Sequence, residues 1–358
     1  MRRLMLLILL LMLTMPILAQ EDTPPVITSD NVAQLQSVQQ IDFDDLAYQL
    51  NAGWFAMNWS GTRFALRDAT GHGVVFDETG ESIMTYPDLV DDDTEENNSP
   101  QVVDAVFFRD AVYFLSYDVS GVYVNGQPLD ELAGIPLAIG SNATDTDSGL
   151  IVVEIIDVET QTNVVYEYEV SPSTGDLIYT DRSAISLSSE TGNVVRIGRI
   201  SIPKVVTSTV TGLVSFGIVG QKSVQVGNGT GQPSVFGNIN ADATHLVWRD
   251  NASQTLYLLD FETGENRIVA PLNGAYAQWF FLSNDASTIL AVNLDHEPIV
   301  VAWDVETGEK TVLGEYRQCN RPQPDMARLS TDGTTLVIGC DTGLDVWRVV
   351  DHDDNEAD

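Results

Sequence analysis

Two nearly identical hexapeptides, Asp260-Phe-Glu-Thr-Gly264-Glu and Asp304-Val-Glu-Thr-Gly308-Glu, stand 44 positions apart in a chain of 358 residues. Asp77-Glu-Thr-Gly80-Glu is a shortened copy, and Asp157-Val-Glu-Thr160 is a partial one. The first two lie between β-branched and apolar runs: residues 255–259 and 267–269 around one, 299–303 and 310–313 around the other. An acid and a glycine between two such runs signal a hairpin, because glycine adopts the positive φ that a tight turn needs. A hairpin repeated at a fixed interval means one supersecondary unit built many times over.

A second element recurs out of phase with the first. It reads apolar, Ser or Asn, any residue, an acid or small residue, then a strand-like run. Its copies are Leu329-Ser-Thr-Asp332-Gly333, Leu282-Ser-Asn-Asp285, Ile239-Asn-Ala-Asp242, Leu187-Ser-Ser-Glu190 and Met57-Asn-Trp-Ser60-Gly61. The Ser or Asn positions are 58, 188, 240, 283 and 330, so the last three steps are 52, 43 and 47. The first step, 130, is about three of these and holds two diverged units. One comprises residues 102–107, a turn at Arg109-Asp110, residues 112–116 and a Val124-Asn125-Gly126 turn. The other comprises residues 136–139, a polar stretch over 141–149 and residues 150–156. Seven units result, each with about four short strands and a period in the forties. That pattern predicts an all-β fold, a single seven-bladed β-propeller of four-stranded antiparallel blades over residues 38–350. Only residues 29–35 carry a helical signal.

On Ala302-Trp303-Asp304, Val346-Trp347-Arg348 and the Ser-x-Asp-Gly type turns, the chain resembles the WD-repeat and related bacterial propeller families of the YVTN and quinoprotein-like kind. The resemblance covers about residues 38–350 and is weakest in the fourth unit, residues 185–226. The families' Gly-His dipeptide at the start of each unit is missing; Gly71-His72 is the one occurrence, and it falls between the second and third strands of its unit. The Asp–His–Ser/Thr–Trp hydrogen-bonding set of typical members therefore does not transfer.

The last unit supplies three strands, residues 326–329, 335–339 and 344–350, before an acidic tail at 351–358. The apolar run 38–43 belongs to no unit. It is expected to complete the seventh blade and so remove an exposed edge, closing the fold with an N-terminal strand. Ahead of it lie a lead segment, residues 21–37, and an N-terminal stretch with Arg2, Arg3, an apolar run to Ala19 broken by Thr14 and Pro16, and then Gln20. This reads as a signal peptide over residues 1–20, with an uncleaved anchor as the alternative. A secreted or periplasmic protein with no membrane span after cleavage is expected.

Lys and Arg number 17 against 52 Asp and Glu, a net charge of −35. Cleavage would remove Arg2 and Arg3 and no acid, giving −37. A field of that sign repels nucleic acid and anionic membranes, which excludes those partners and leaves proteins, small ligands and cations. A monomer is expected.

Cys319 and Cys340 are the two cysteines, flanking the first two strands of the seventh unit. Antiparallel neighbours place those positions at one end of the blade, so a disulfide is expected, closing a loop worth about 3 kcal/mol. His72 and His296 occupy equivalent loops, His245 begins a strand and His352 lies in the tail. The acid run 91–96 and Asp145-Thr-Asp147-Ser-Gly149 are read as solvated turns, with weak calcium binding as the sharper reading. No Gly-x-Ser-x-Gly elbow, His-Glu-x-x-His pair or nucleotide loop occurs, and Arg196, Arg199 and Lys204 form the one basic cluster. No catalytic, metal or cofactor residues are assigned. The aromatic residues, Trp303 and Trp347 among them, are expected to pack between blades. The function expected is a non-catalytic exported scaffold that binds a protein or small ligand at one face. The alternative is a propeller enzyme of the lactonase, hydrolase or dehydrogenase type, with a metal or acid–base site at the central channel.

Overall fold

The computed structural model describes residues 24–42, 55–68, 71–86, 100–108, 110–129, 134–142, 149–159, 162–171, 173–185, 195–197, 205–209, 214–218, 223–226, 235–240, 244–250, 254–272, 277–294, 297–316, 326–340 and 343–350. Within them the chain is all-β. Strand β1 (Leu35–Asp42) follows a single 3-10 turn, Val32–Gln34. The remaining strands run in chain order through seven sheets. The first holds β2 (Ala56–Met57), β3 (Arg63–Arg67), β4 (Gly73–Asp77) and β5 (Ser82–Tyr86). The second holds β6 (Gln101–Phe108), β7 (Ala111–Asp118), β8 (Gly121–Val124) and β9 (Gln127–Pro128). The third holds β10 (Ile135–Asn142), β11 (Gly149–Asp157), β12 (Thr162–Val170) and β13 (Leu177–Ile185). The fourth holds β14 (Val195–Ile197), β15 (Val205–Thr209), β16 (Val214–Ile218) and β17 (Ser223–Val226), described by backbone alone. The fifth holds β18 (Val235–Ile239), β19 (His245–Asp250), β20 (Thr255–Asp260) and β21 (Asn266–Pro271). The sixth holds β22 (Ala277–Leu282), β23 (Thr288–Leu294), β24 (Glu297–Asp304) and β25 (Lys310–Glu315). The seventh holds β26 (Met326–Leu329), β27 (Thr335–Cys340) and β28 (Gly343–Val349), with β1 as its fourth strand. Every sheet is an antiparallel meander of four strands.

The N-terminal strand does join the last sheet. It pairs with β28 from Leu35 opposite Val349 to Asp42 opposite Gly343, beginning three residues before the expected run. Phe43 lies outside the described residues. Because β1 enters beside the end of β28, the two ends of the chain leave the seventh sheet together, and the Val350 N–H donates to the Gln34 carbonyl at 3.2 Å.

The central strands of the first, second, sixth and seventh sheets are apolar on both faces because each of these sheets lies between two apolar clusters; all of β23 is buried, for example. Leading strands of successive sheets pack on each other: β2 on β6, β6 on β10, β14 on β18, β18 on β22 and β22 on β26. Phe107 and Phe114 lie in the cluster between the first two sheets, and Phe108 and Tyr113 in that between the second and third. Trp303 lies between the fifth and sixth, and Trp347 between the sixth and seventh. A further cluster joins the seventh sheet to the first through Ile41, Val337, Leu344 and Val346 against Phe55, Phe64, Leu66 and Phe76. Each fully buried side chain of this size contributes about 1.5–3 kcal/mol. The aromatic residues of these clusters pack between sheets, Trp248 stacks on Tyr257 within the fifth sheet, and Tyr117 and Tyr179 are exposed; Trp54 lies outside the described residues.

One feature of the edges has no counterpart in the sequence reading. The fourth strand of five sheets carries one extra residue in its pairing with the third: Ile83 in β5, Thr180 in β13, Val269 in β21, Leu313 in β25 and Val38 in β1. A bulge bends an edge strand and interrupts its ladder, which blocks pairing with another chain. That β1 bulges like the others marks it as a fourth strand of the same kind.

Candidate functional site

In a four-stranded meander the turns between strands one and two and between strands three and four fall at one end of the sheet. The turn between strands two and three falls at the other. Both repeated sequence motifs map to the first end. Asp77, Asp260 and Asp304 open third-to-fourth turns, and Asn58, Asn240, Ser283 and Ser330 open first-to-second turns. Asp157 departs from this pattern. It makes a similar turn, accepting from the Glu159 N–H at 2.9 Å, but between β11 and β12, at the opposite end. Leu187-Ser-Ser-Glu190 lies outside the described residues.

The acids of the hexapeptides are consumed by the turns they make. Asp304 Oδ1 accepts from the Thr307 N–H at 2.6 Å and hydroxyl at 2.8 Å. Asp77 Oδ1 accepts from the Thr79 N–H at 2.9 Å, its hydroxyl at 2.6 Å and the Glu81 N–H at 3.0 Å. Asp260 Oδ1 accepts from the N–H groups of Glu262 and Thr263. The Thr307 and Thr79 bonds hold the carboxyls of Asp304 and Asp77 below the ordinary value. For Asp260 and Asp285 burial is the largest single influence and pushes upward, but the hydrogen bonds of their own turns together outweigh it and bring both down. None of these is an acid that would deliver a proton near neutrality.

The first-to-second turns use Ser or Asn for one task. Ser330 Oγ accepts from the Thr334 and Thr335 N–H groups and donates to Asp332 at 2.6 Å. Ser283 repeats this with the Thr288 N–H and Asp285. Asn58 Oδ1 accepts from the Thr62 and Arg63 N–H groups at 2.8 and 2.9 Å, and Asn240 Oδ1 accepts from His245 at 2.8 Å. These turns also reach each other. Asn240 Nδ2 donates to the Asn284 carbonyl at 3.2 Å, and Asn284 Nδ2 to the Thr331 carbonyl at 2.8 Å. The Asp332 N–H donates to the Trp59 carbonyl at 3.1 Å, and Asn58 Nδ2 to Asp110 at 3.1 Å. A hydrogen-bonded belt thus runs from the fifth sheet through the sixth, seventh and first to the second. Arg348 tightens the seventh-to-first link, donating to the Gly61 carbonyl at 3.4 Å and lying 3.5 Å from Glu78.

At the other end, the loop between β3 and β4 holds the one carboxylate–imidazole pair described. Asp68 accepts from the His72 N–H at 2.8 Å, and its second oxygen lies 3.4 Å from His72 Nδ1, with the two side chains 17% and 15% exposed. The loop is fastened to the second sheet, because the Val102 N–H donates to the Gly71 carbonyl and Arg67 donates to Gln101 Oε1 at 3.3 Å. Gly71 has φ +97°, and a Cβ there would sit 2.1 Å from Gln101 Oε1, so only glycine fits. A carboxylate beside an imidazole orients the ring, as acid–base or ligand chemistry requires. His296 falls in the equivalent loop between β23 and β24 and lies outside the described residues. His245 Nδ1 is 2.7 Å from the Thr244 hydroxyl, and His352 lies outside.

The remaining expectations divide between the two. Residues 91–96, Asp145, Asp147, Arg199, Lys204 and Cys319 lie outside the described residues; Arg196 and Cys340 are described by backbone only, Cys340 opposite Gly343 at the end of β27. Among the described residues no group of three or more His, Cys, Asp or Glu is placed to hold a metal ion. Sequence reasoning missed the buried charges. Asp104, Glu154, Arg249 and Asp345 are all at most 4% exposed. Asp104 takes the Ile139 N–H of the next sheet at 3.2 Å, and Asp345 takes the Ser37 hydroxyl of β1. Their signal was a lone charge inside an apolar run, as in Val102-Val-Asp104-Ala-Val106 and Val152-Val-Glu154-Ile-Ile156.

No protein-family model matches the chain, and no curated protein matches it. No helix among the described residues is long and apolar enough to cross a membrane.

Proposed function

We propose that the chain is an exported seven-bladed β-propeller of the WD-repeat-like kind that works as a non-catalytic scaffold, binding a protein or small ligand at one of its loop-bearing ends. The observation that carries this reading is how the repeated polar residues are used. The acids, serines and asparagines of both motifs are turned inward on their own turns or on the neighbouring sheet, so they build a frame and leave recognition to the variable loops. Seven four-stranded meanders in chain order, packed leading strand to leading strand, with the N-terminal strand completing the last sheet, support the propeller. The N-terminal Arg2-Arg3 and apolar run support export.

Capture of partners from a cell-envelope extract on the immobilised mature chain tests the reading. A reproducible partner, lost when loops at one end are replaced, is the expected result; no partner together with a measurable turnover would overturn it. The Asp68–His72 pair favours a second reading, a propeller enzyme with acid–base or metal chemistry. A stoichiometric, tightly held metal in the purified protein that is lost in His72→Ala would establish that reading instead.

A further inference from the structure

Residues 24–34 precede β1 and belong to no sheet, yet they are tightly placed. Ile27 is fully buried, in the apolar cluster between the sixth and seventh sheets, beside Phe281, Leu290, Ala327 and Trp347. Its N–H donates to the carbonyl of Gly333, in the first-to-second turn of the seventh sheet, at 2.9 Å. Two residues on, the Ser29 N–H donates to the hydroxyl of Ser287, in the corresponding turn of the sixth sheet, at 3.0 Å. The segment therefore crosses the seam between two sheets and donates one backbone N–H to an acceptor on each side. Its own fold is local: Asn31 accepts from the Thr28 N–H at 2.9 Å and donates to the Val26 carbonyl at 2.8 Å, and Val32 packs on the same cluster.

Two hydrogen-bond acceptors, the Gly333 carbonyl and the Ser287 hydroxyl, beside an apolar pocket are what a groove offers a peptide. We infer that the seam between the sixth and seventh sheets is a peptide-binding groove, filled in this state by the chain's own residues 24–34 as an exchangeable clasp. The occupant chemistry is a short segment with a β-branched residue and a backbone N–H two positions later, where the chain enters a turn. The inference rests on the seam alone and holds whether or not the scaffold reading does. The clasp continues covalently into β1 and its other bonds go to turns, so it can leave without breaking any strand pairing.

The test uses the full chain carrying Ile27→Asp and a labelled peptide of residues 24–34, followed by fluorescence anisotropy and hydrogen exchange. The charged side chain should expel the clasp, raise exchange at the amides of residues 27 and 29, which lose their acceptors on Gly333 and Ser287, and open the groove. The variant should bind the peptide at least tenfold more tightly than the wild-type chain, whose groove is occupied. A peptide carrying the same Ile27→Asp change should not bind. Unchanged protection in the variant, or equal binding of both peptides, would overturn the inference. Global unfolding of the milder Ile27→Ala variant would also overturn it, since the segment would then be part of the obligate core.

Discussion

Gly333 sits where three demands meet. Its φ is +75°, it accepts from Ile27, and a Cβ there would stand 2.9 Å from Asn284 Nδ2 and 3.3 Å from Val26 Cγ1. Gly333→Ala should therefore strain the turn and push on the amide that links the sixth sheet to the seventh. A cost of about 1–3 kcal/mol is expected from the backbone alone and should appear as a lower urea midpoint with an unchanged slope. An unaffected midpoint would mean that the turn relaxes freely. The turn acids offer a second prediction at this scale. Asp304 has a carboxyl held below its ordinary value of 3.8, so its stabilising bonds are present above that value and lost as pH falls through the lower folded value. Asp304→Ala should cost about 0.5–1.5 kcal/mol at pH 7. The gap between it and wild type should stay constant down to about pH 5 and close below about pH 4. A gap that persists at acid pH would show that the carboxylate is not what the turn uses. These acids were legible as turn formers because their spacing from Thr and Gly repeats. The buried Asp104 and Asp345 were not, because a single residue in an apolar run does not say which group will meet it from another sheet.

At the level of elements, strands came through the sequence well wherever both faces of a strand are buried. Continuous apolar runs such as 255–259 and 335–339 leave little choice of length, and the hairpins around Gly264 and Gly308 fix their partners. The motif does not say at which end of a sheet it lies, because an Asx turn is a local solution that fits either end. Asp157 makes the turn at the opposite end from Asp260 and Asp304, and nothing in four residues encodes which end is meant. The outer-strand bulges were invisible too, because an extra residue in a short, half-exposed strand leaves no periodic trace. Strand β1 carries the next prediction. Deleting residues 21–45 removes the seventh sheet's fourth strand, buried Leu35 and Ile41, and the Ser37 partner of buried Asp345. The loss of several kcal/mol should lower the melting temperature by more than about 10 °C. An unchanged melting temperature would reject the structural role of the strand. The same sheet tests the cysteines: the oxidised protein, unfolded without reductant, should show no free thiol, and titration of two would exclude a Cys319–Cys340 bridge.

For the whole molecule the governing quantity is charge. With 52 acids against 17 Lys and Arg, the folded chain brings like charges together that the unfolded chain spreads apart. Both repeated motifs set their acids at the same end of the sheets, Asp77, Asp260, Asp285, Asp304 and Asp332 among them, so the repulsion is concentrated there. Hydrogen bonds within each turn neutralise none of that charge; they only fix where it sits. Screening should then stabilise the fold, because the Debye length falls from about 30 Å at 0.01 M salt to about 10 Å at 0.1 M. The melting temperature should rise steadily as sodium chloride is added over that range. Replacing Glu262, Glu306 and Glu309 by Gln should raise it at low salt and flatten the salt dependence, since none of the three carboxylates is the turn-making group. A melting temperature that falls with salt would mean that attractive pairs such as Arg348 with Glu78, across the seventh and first sheets, outweigh the repulsion of the acidic end.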